Sequence, residues 1–223
     1  MKKILFSFII LLPVLLSAEN YQYQYFNGDN KYLPFSDYIP EIRLHYKTVP
    51  HYVEDFYLLY GMKLYYNENS LRRNIDRMKT AMNCKFRHPS EALVKVDSED
   101  EYLKYRRLMF MHINLLIMRD TMKIAARYDK HRVKFYNTDF AKEINESLDI
   151  ADRIYREAIP YWEAAKKYAY DASKIKITTD LGNMESERYT IIKGELDYGK
   201  IINSHITKLT EKRRKLAEYS AKK

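Results

Sequence analysis

Cys84 and His88 are residues whose types and spacing suggest chemistry. A CxxxH pair is half of a zinc site, but structural zinc takes four ligands and no second pair stands nearby in the sequence. Cys84 is the single cysteine, so a monomer holds no disulfide. Its neighbours Met82 and Phe86 read as core residues, and a small buried hydrophobe is the expected role, with an intermolecular bridge or a reactive thiol as the alternative. His112 and Asn114 interrupt an apolar run. Positions i and i+2 diverge on a helix, so a hydrogen-bonded core histidine is expected there rather than a ligand pair. Glu143, Glu146, Asp149 and Asp152 step by three, and paired acids could serve acid–base work. Lys142, Arg153 and Arg156 interleave with them, which fits a solvated helix face with local ion pairs. The chain has no ExxH pair of the di-iron type, no HExxH, no GxSxG and no P-loop pattern. No catalytic, cofactor-binding or metal-ligating residue is assigned, and the chain is read as a non-enzyme.

Two features suggest binding instead. Of 22 tyrosines, half fall between residues 21 and 66. Tyrosine offers a large apolar face, a hydroxyl and little rotamer entropy to lose. It serves a recognition surface or the packing of this region onto a core, and Tyr52, Tyr57, Tyr60 and Tyr65 cannot share one helix face. Tyr21, Tyr23, Tyr25, Tyr57, Tyr60 and Tyr65 are the candidate partner contacts. The second feature is the basic end, Lys212, Arg213, Arg214 and Lys215. Cations there suit the negative end of a helix dipole, and they are also the candidates for an anionic membrane or cell-wall surface.

The elements that must position these residues begin after a leader. Lys2 and Lys3 precede an apolar run from Ile4 to Leu16, and small Ala18 follows. That is the pattern of a cleaved signal peptide over residues 1–18, too short for a comfortable membrane span. Loss of Lys2 and Lys3 takes the formal charge from +9 to +7, which favours anionic partners. Nucleic acid is not expected for an exported chain. Residues 19–48 read as an extended, Tyr-rich arm, punctuated by Asn27-Gly28-Asp29-Asn30, Pro34 and Pro40.

Residues 49–223 read as an all-α bundle of about five helices. Thr48 and Pro50 open the first, to about Tyr66. Ser70 caps a second, through Cys84. Ser98 to Glu101 form a capping box for a third, to about Lys130; its centre, 108–118, is apolar nearly all round and belongs in the middle of a bundle. Thr138 caps a fourth, 139–174, with a seam from Phe140 through Leu148, Trp162 and Ala172 and a kink expected at Pro160. A fifth runs from about Asn183 to Tyr219, and with the fourth it forms a long antiparallel hairpin. Gly194 and Gly199 either break that helix or admit a neighbour closely.

The arm, the aromatic helix HYVEDFYLLYGMKLYY (51–66) and the long helices together resemble small exported all-helical proteins of spirochaete periplasms, including collar proteins of the periplasmic flagellar motor. The resemblance implies a periplasmic scaffold with protein partners in an envelope assembly, and it transfers no individual residue. The function expected is therefore a non-enzymatic exported binding or scaffold protein. The alternative is a membrane-surface or peptidoglycan-binding protein that uses the basic tail.

Overall fold

The apolar run at 108–118 lies within α3 (Glu99–Tyr128), and the rest of the fold covers that helix. Leu108, Met109, Met111, Ile113, Leu115, Ile117 and Met118 are all fully buried, on every side of its axis. The computed structural model describes residues 50–130 and 138–221; the leader, the arm and Tyr21, Tyr23 and Tyr25 lie outside them. The other helices are α1 (Val53–Phe56), α2 (Glu68–Ala81), α4 (Ala141–Ser173), α5 (Gly182–Ile192) and α6 (Tyr198–Ser220). No strand occurs among the described residues, where Tyr52 and Lys85 form an isolated bridge. The all-α bundle is thus the fold.

Polar contacts fix the directions. Tyr128 at the end of α3 donates to Glu68 at the start of α2, 2.7 Å. Arg107 near the start of α3 donates to the carbonyl of Asp171 near the end of α4, 2.7 Å. Both neighbours therefore run antiparallel to α3 and parallel to each other. The expected seam of α4 holds: Leu148, Ala151, Ile154, Ala158, Trp162, Ala165, Ala169 and Ala172 are buried, while Phe140 is 58% exposed. The α-helix continues through Pro160 without interruption.

Several boundaries differ from the sequence reading. Ser98 accepts from the Glu101 N–H at 3.2 Å as expected, but the Glu101 carboxylate reaches the N–H of Asp97 rather than that of Ser98. Asn67, not Ser70, caps α2: its Oδ1 accepts from the Ser70 N–H at 2.7 Å. A 3-10 turn, Thr138–Phe140, precedes α4, and Phe140 occupies the cap position without a side-chain hydrogen bond. The expected last helix is two helices. Gly194 has φ +74°, the left-handed conformation that ends helices. The N–H groups of Glu195 and Leu196 turn back onto the Thr190 carbonyl, and Asp197 caps α6 through the Lys200 N–H. Gly199 serves the other purpose: a Cβ there would lie 3.0 Å from Trp162 Nε1. The hairpin partner of α4 is thus α5 followed by α6.

The expected helix at 50–66 is also interrupted. After four α residues the chain forms a π turn, Tyr57–Gly61, of the kind that often marks functional sites. Gly61 packs beneath the Tyr57 ring, where a Cβ would stand 2.5 Å from Tyr57 Cδ2. Residues 63–66 have no regular structure.

Candidate interaction surface

The π turn and the irregular stretch after it sort their side chains sharply. Tyr65 points inward and is 4% exposed. Leu58 (49%), Met62 (67%), Leu64 (67%) and Tyr66 (74%) stand out in solvent. Their frame is tied at both ends. Glu54, fully buried, accepts from Tyr105 Oη at 3.0 Å and from the Arg87 backbone N–H at 3.1 Å. Arg127 donates to the Tyr66 carbonyl. Leu58, Met62, Leu64 and Tyr66 thus place four large, mostly apolar side chains in water along one short segment, the kind of exposure that marks a candidate contact site.

The candidate tyrosines divide accordingly. Tyr65 is a core residue in this arrangement, a correction to its assignment as a contact. Tyr57 is half-buried, its ring edge-on to His112 at 5.6 Å; burial, and then the Glu187 charge, hold its hydroxyl pKa above the ordinary value. Tyr60 is half-buried beneath the Arg77 guanidinium, 4.0 Å from the ring centroid. The outward residues Leu58, Met62, Leu64 and Tyr66 are not among the contacts expected from the sequence. The signal available was the sequence Met62-Lys63-Leu64-Tyr65-Tyr66 after Gly61, where alternation separates one face from the other.

His112 and Asn114 diverge as expected. Asn114 donates to the Phe110 carbonyl at 2.7 Å. His112 joins an ionic cluster between α3 and α5: its Nδ1 lies 2.5 Å from Glu187 Oε2, and Arg119 reaches Glu187 Oε1 at 2.7 Å and Tyr198 Oη at 2.9 Å. Burial disfavours a charged Glu187, but His112 and Arg119 outweigh it and hold the carboxyl below the usual range. A second anchor repeats the design. Buried Lys104 pairs with Glu185 at 2.7 Å and donates to the Ile177 carbonyl. Against its own burial, Lys104, Arg188 and the Thr179 N–H hold Glu185 low. These groups join helices; each carboxylate is consumed by its cations.

The remaining candidates are separate. Cys84 is half-buried, with Sγ 3.4 Å from the Thr80 carbonyl; burial, and then Asp55, raise its pKa. His88 faces Ser90 Oγ at 2.8 Å. Asp149 pairs with Arg213 and Asp152 with Arg156, while Glu143 and Glu146 are exposed. Among the described residues no group of three or more His, Cys, Asp or Glu could hold a metal ion. The basic end is partly engaged. Lys212 donates to the Asp129 carbonyl at 2.5 Å, and Arg214 pairs with Glu218 at 2.5 Å. Lys215 is exposed. Among the described residues no helix is long and apolar enough to cross a membrane.

Residues 100–219 match a family model described as a domain of unknown function, DUF8513. The match spans α3 to α6 and both ionic anchors of α5; the outward segment 58–66 lies before it. No curated protein and no solved structure matches the chain.

Proposed function

The chain belongs to the DUF8513 family, a description that assigns no activity, and we propose that it is a non-enzymatic, exported binding or scaffold protein of an envelope assembly, such as a periplasmic flagellar collar. The observation that carries this reading is the outward apolar set Leu58, Met62, Leu64 and Tyr66 on a segment tied to the bundle. Such a set gains about 25 cal/mol for each Å² of apolar surface that a partner removes from water. Being already ordered, the segment gives up little entropy on docking. The interior adds support: the ionisable groups that cross between helices serve as anchors, so the frame keeps its spacing while one surface is engaged. The leader sequence supports export, and the resemblance to periplasmic collar proteins supports the setting.

The test is cross-linking in the native envelope. A photoreactive residue at Leu64 is expected to capture one protein reproducibly, and Met62→Glu is expected to abolish the adduct. The same photoreactive residue at exposed Lys167, on α4, is the control. Equal capture from both positions, or an adduct indifferent to Met62→Glu, overturns the proposal.

A further inference from the structure

Tyr57 opens the π turn Tyr57–Gly61, and its ring reaches into the bundle. It meets the His112 ring edge to face, with centroids 5.6 Å apart and planes at 82°. His112 Nδ1 in turn lies 2.5 Å from Glu187 Oε2. Arg119 holds the other oxygen of that carboxylate at 2.7 Å and donates to Tyr198 Oη at 2.9 Å. These contacts run unbroken from the π turn through α3 to α5 and the start of α6. The Glu187 charge is felt at the far end, where it adds to burial in raising the Tyr57 hydroxyl pKa.

Both ends of this line are lightly held. α5 has 11 residues, of which only Met184 and Ile191 are buried hydrophobics. Elements with few buried apolar contacts are the ones that open locally. At the other end, a π turn is a rare geometry that takes up one residue more than an α turn. Here Tyr57 rests on His112, and Gly61 lies so close beneath the Tyr57 ring that a Cβ would stand 2.5 Å from Tyr57 Cδ2 and 3.3 Å from Leu116 Cδ1 of α3. Reversion to α geometry would take up one residue fewer and swing the chain that follows by about 100°. Met62 and Leu64 follow directly, so their outward direction depends on the turn.

We propose that His112 couples α5 to the contact segment, so that docking of α5 holds the π turn and, through it, the outward direction of residues 58–66. With α5 in place, Glu187 fixes the imidazole through Nδ1, and Tyr57 packs on a ring that cannot turn. With α5 lifted, Glu187 leaves with it, the imidazole rotates freely, and Tyr57 loses its support. Coupling of this kind is reciprocal: a partner seated on 58–66 tightens α5, and one that displaces α5 releases 58–66. The consequence for binding rests on 58–66 being the contact surface, whereas the coupling is measured on the chain alone.

The experiment is hydrogen exchange of the full folded chain, resolved by mass spectrometry, over a cycle of variants at Glu187 and His112. Glu187→Gln should speed exchange at 57–61 about fivefold or more, the lower end of ordinary couplings, together with that of α5. His112→Phe leaves Tyr57 a ring to pack on but has no bond to Glu187. In that background Glu187→Gln should still loosen α5, through Arg119, and should add nothing at 57–61. Tyr57→Leu, which withdraws the ring without adding a clash, should speed exchange in α5 from the other side. Circular dichroism checks that each variant folds. The inference is overturned if Glu187→Gln leaves 57–61 unchanged, if its effect there is as large with His112→Phe as without it, or if Tyr57→Leu leaves α5 unchanged. A failed cross-link from Leu64 beside these exchange shifts counts against the contact surface and leaves the coupling standing.

Discussion

The substitution Glu187→Gln tests whether α5 is held by charge rather than by apolar packing. Only Met184 and Ile191 of its 11 residues are buried hydrophobics, about 3–6 kcal/mol of burial together. Against that stand the two ionic anchors. Glutamine keeps the size and one hydrogen bond but leaves Arg119 and His112 facing a neutral group. Removing one partner from a buried pair costs about 3–5 kcal/mol. Side-chain exposures of 12% for His112, 20% for Glu187 and 27% for Arg119 call for a discount, to about 2–3 kcal/mol. At 1.4 kcal/mol per tenfold change, that is a rise of about 30- to 150-fold in local opening. Hydrogen exchange resolved by mass spectrometry should show this acceleration in residues 182–192 and leave the centre of α3 protected. Acid should act in the same direction. The Glu185 and Glu187 carboxyls titrate below the ordinary 4.5 in the folded chain. Their contribution is therefore complete above that pH and is lost as pH falls through the depressed folded values. Unchanged exchange in α5, or acceleration spread evenly over the chain, would refute the reasoning.

Three further outcomes follow from packing and solvation. Tyr65→Ala should cost about 3–5 kcal/mol in urea unfolding, as large aromatic truncations in a core do, while neighbouring Tyr66→Ala should stay within about 0.5 kcal/mol; similar losses would contradict the inward and outward assignment. Gly194→Ala should cost about 1–2 kcal/mol through its left-handed backbone, with Gly194→Asn milder. Gly199→Ala should cost about 1–3 kcal/mol through its contact with Trp162, and Asn there should be no milder, so a common response at both glycines would be evidence against two separate causes. Cys84 should react with a disulfide reagent at pH 8 more slowly than a free thiol, because burial raises its pKa, and should regain the ordinary rate in urea; fast labelling of the folded chain would contradict this.

Elements with strong local signals were legible. The all-round apolar centre of α3, its Ser98 cap and the α4 seam depend on neighbours three and four residues away, which any window of the sequence contains. Asn67-Glu68-Asn69-Ser70 held several capping oxygens in a row, and spacing alone did not decide which one would face the free N–H groups. The π turn was not legible, because it depends on Tyr57 folding over Gly61 toward His112, a contact made across the bundle. The anchors of α5 were hidden for the same reason: Glu187 lies 75 residues from His112 and 68 from Arg119. The outward surface was half legible. Residue type drew attention to the right segment, and the direction of each side chain followed from a backbone that local periodicity misread as helix.

A helix that is apolar all round can be covered in many rotations, so α3 needs something other than greasiness to choose its neighbours' positions. The polar contacts at its edges supply that choice: Tyr105 takes Glu54, Lys104 takes Glu185, Arg107 takes the Asp171 carbonyl, and Asp120 takes Asn74 at 2.7 Å. The last pair separates stability from specificity most cleanly. Asp120 is 4% exposed and also meets Lys123, while Asn74, 2% exposed, leaves its Oδ1 without a partner among the described residues. Burial of such a pair costs nearly what it returns, and apolar residues of similar volume are often neutral or better by about 1–4 kcal/mol. Asn74→Leu with Asp120→Leu should therefore match or exceed the parent in urea unfolding. Either change alone should destabilise, because it leaves a buried polar group unpaired. If the pair sets the register of α2, the stable double variant should show doubled or broadened methyl resonances for Ile75 and Met78, the signature of α2 sampling more than one position on α3. A double variant that is less stable than the parent by more than about 2 kcal/mol, with one sharp set of resonances, would show that the pair contributes stability and leaves register to the apolar surfaces.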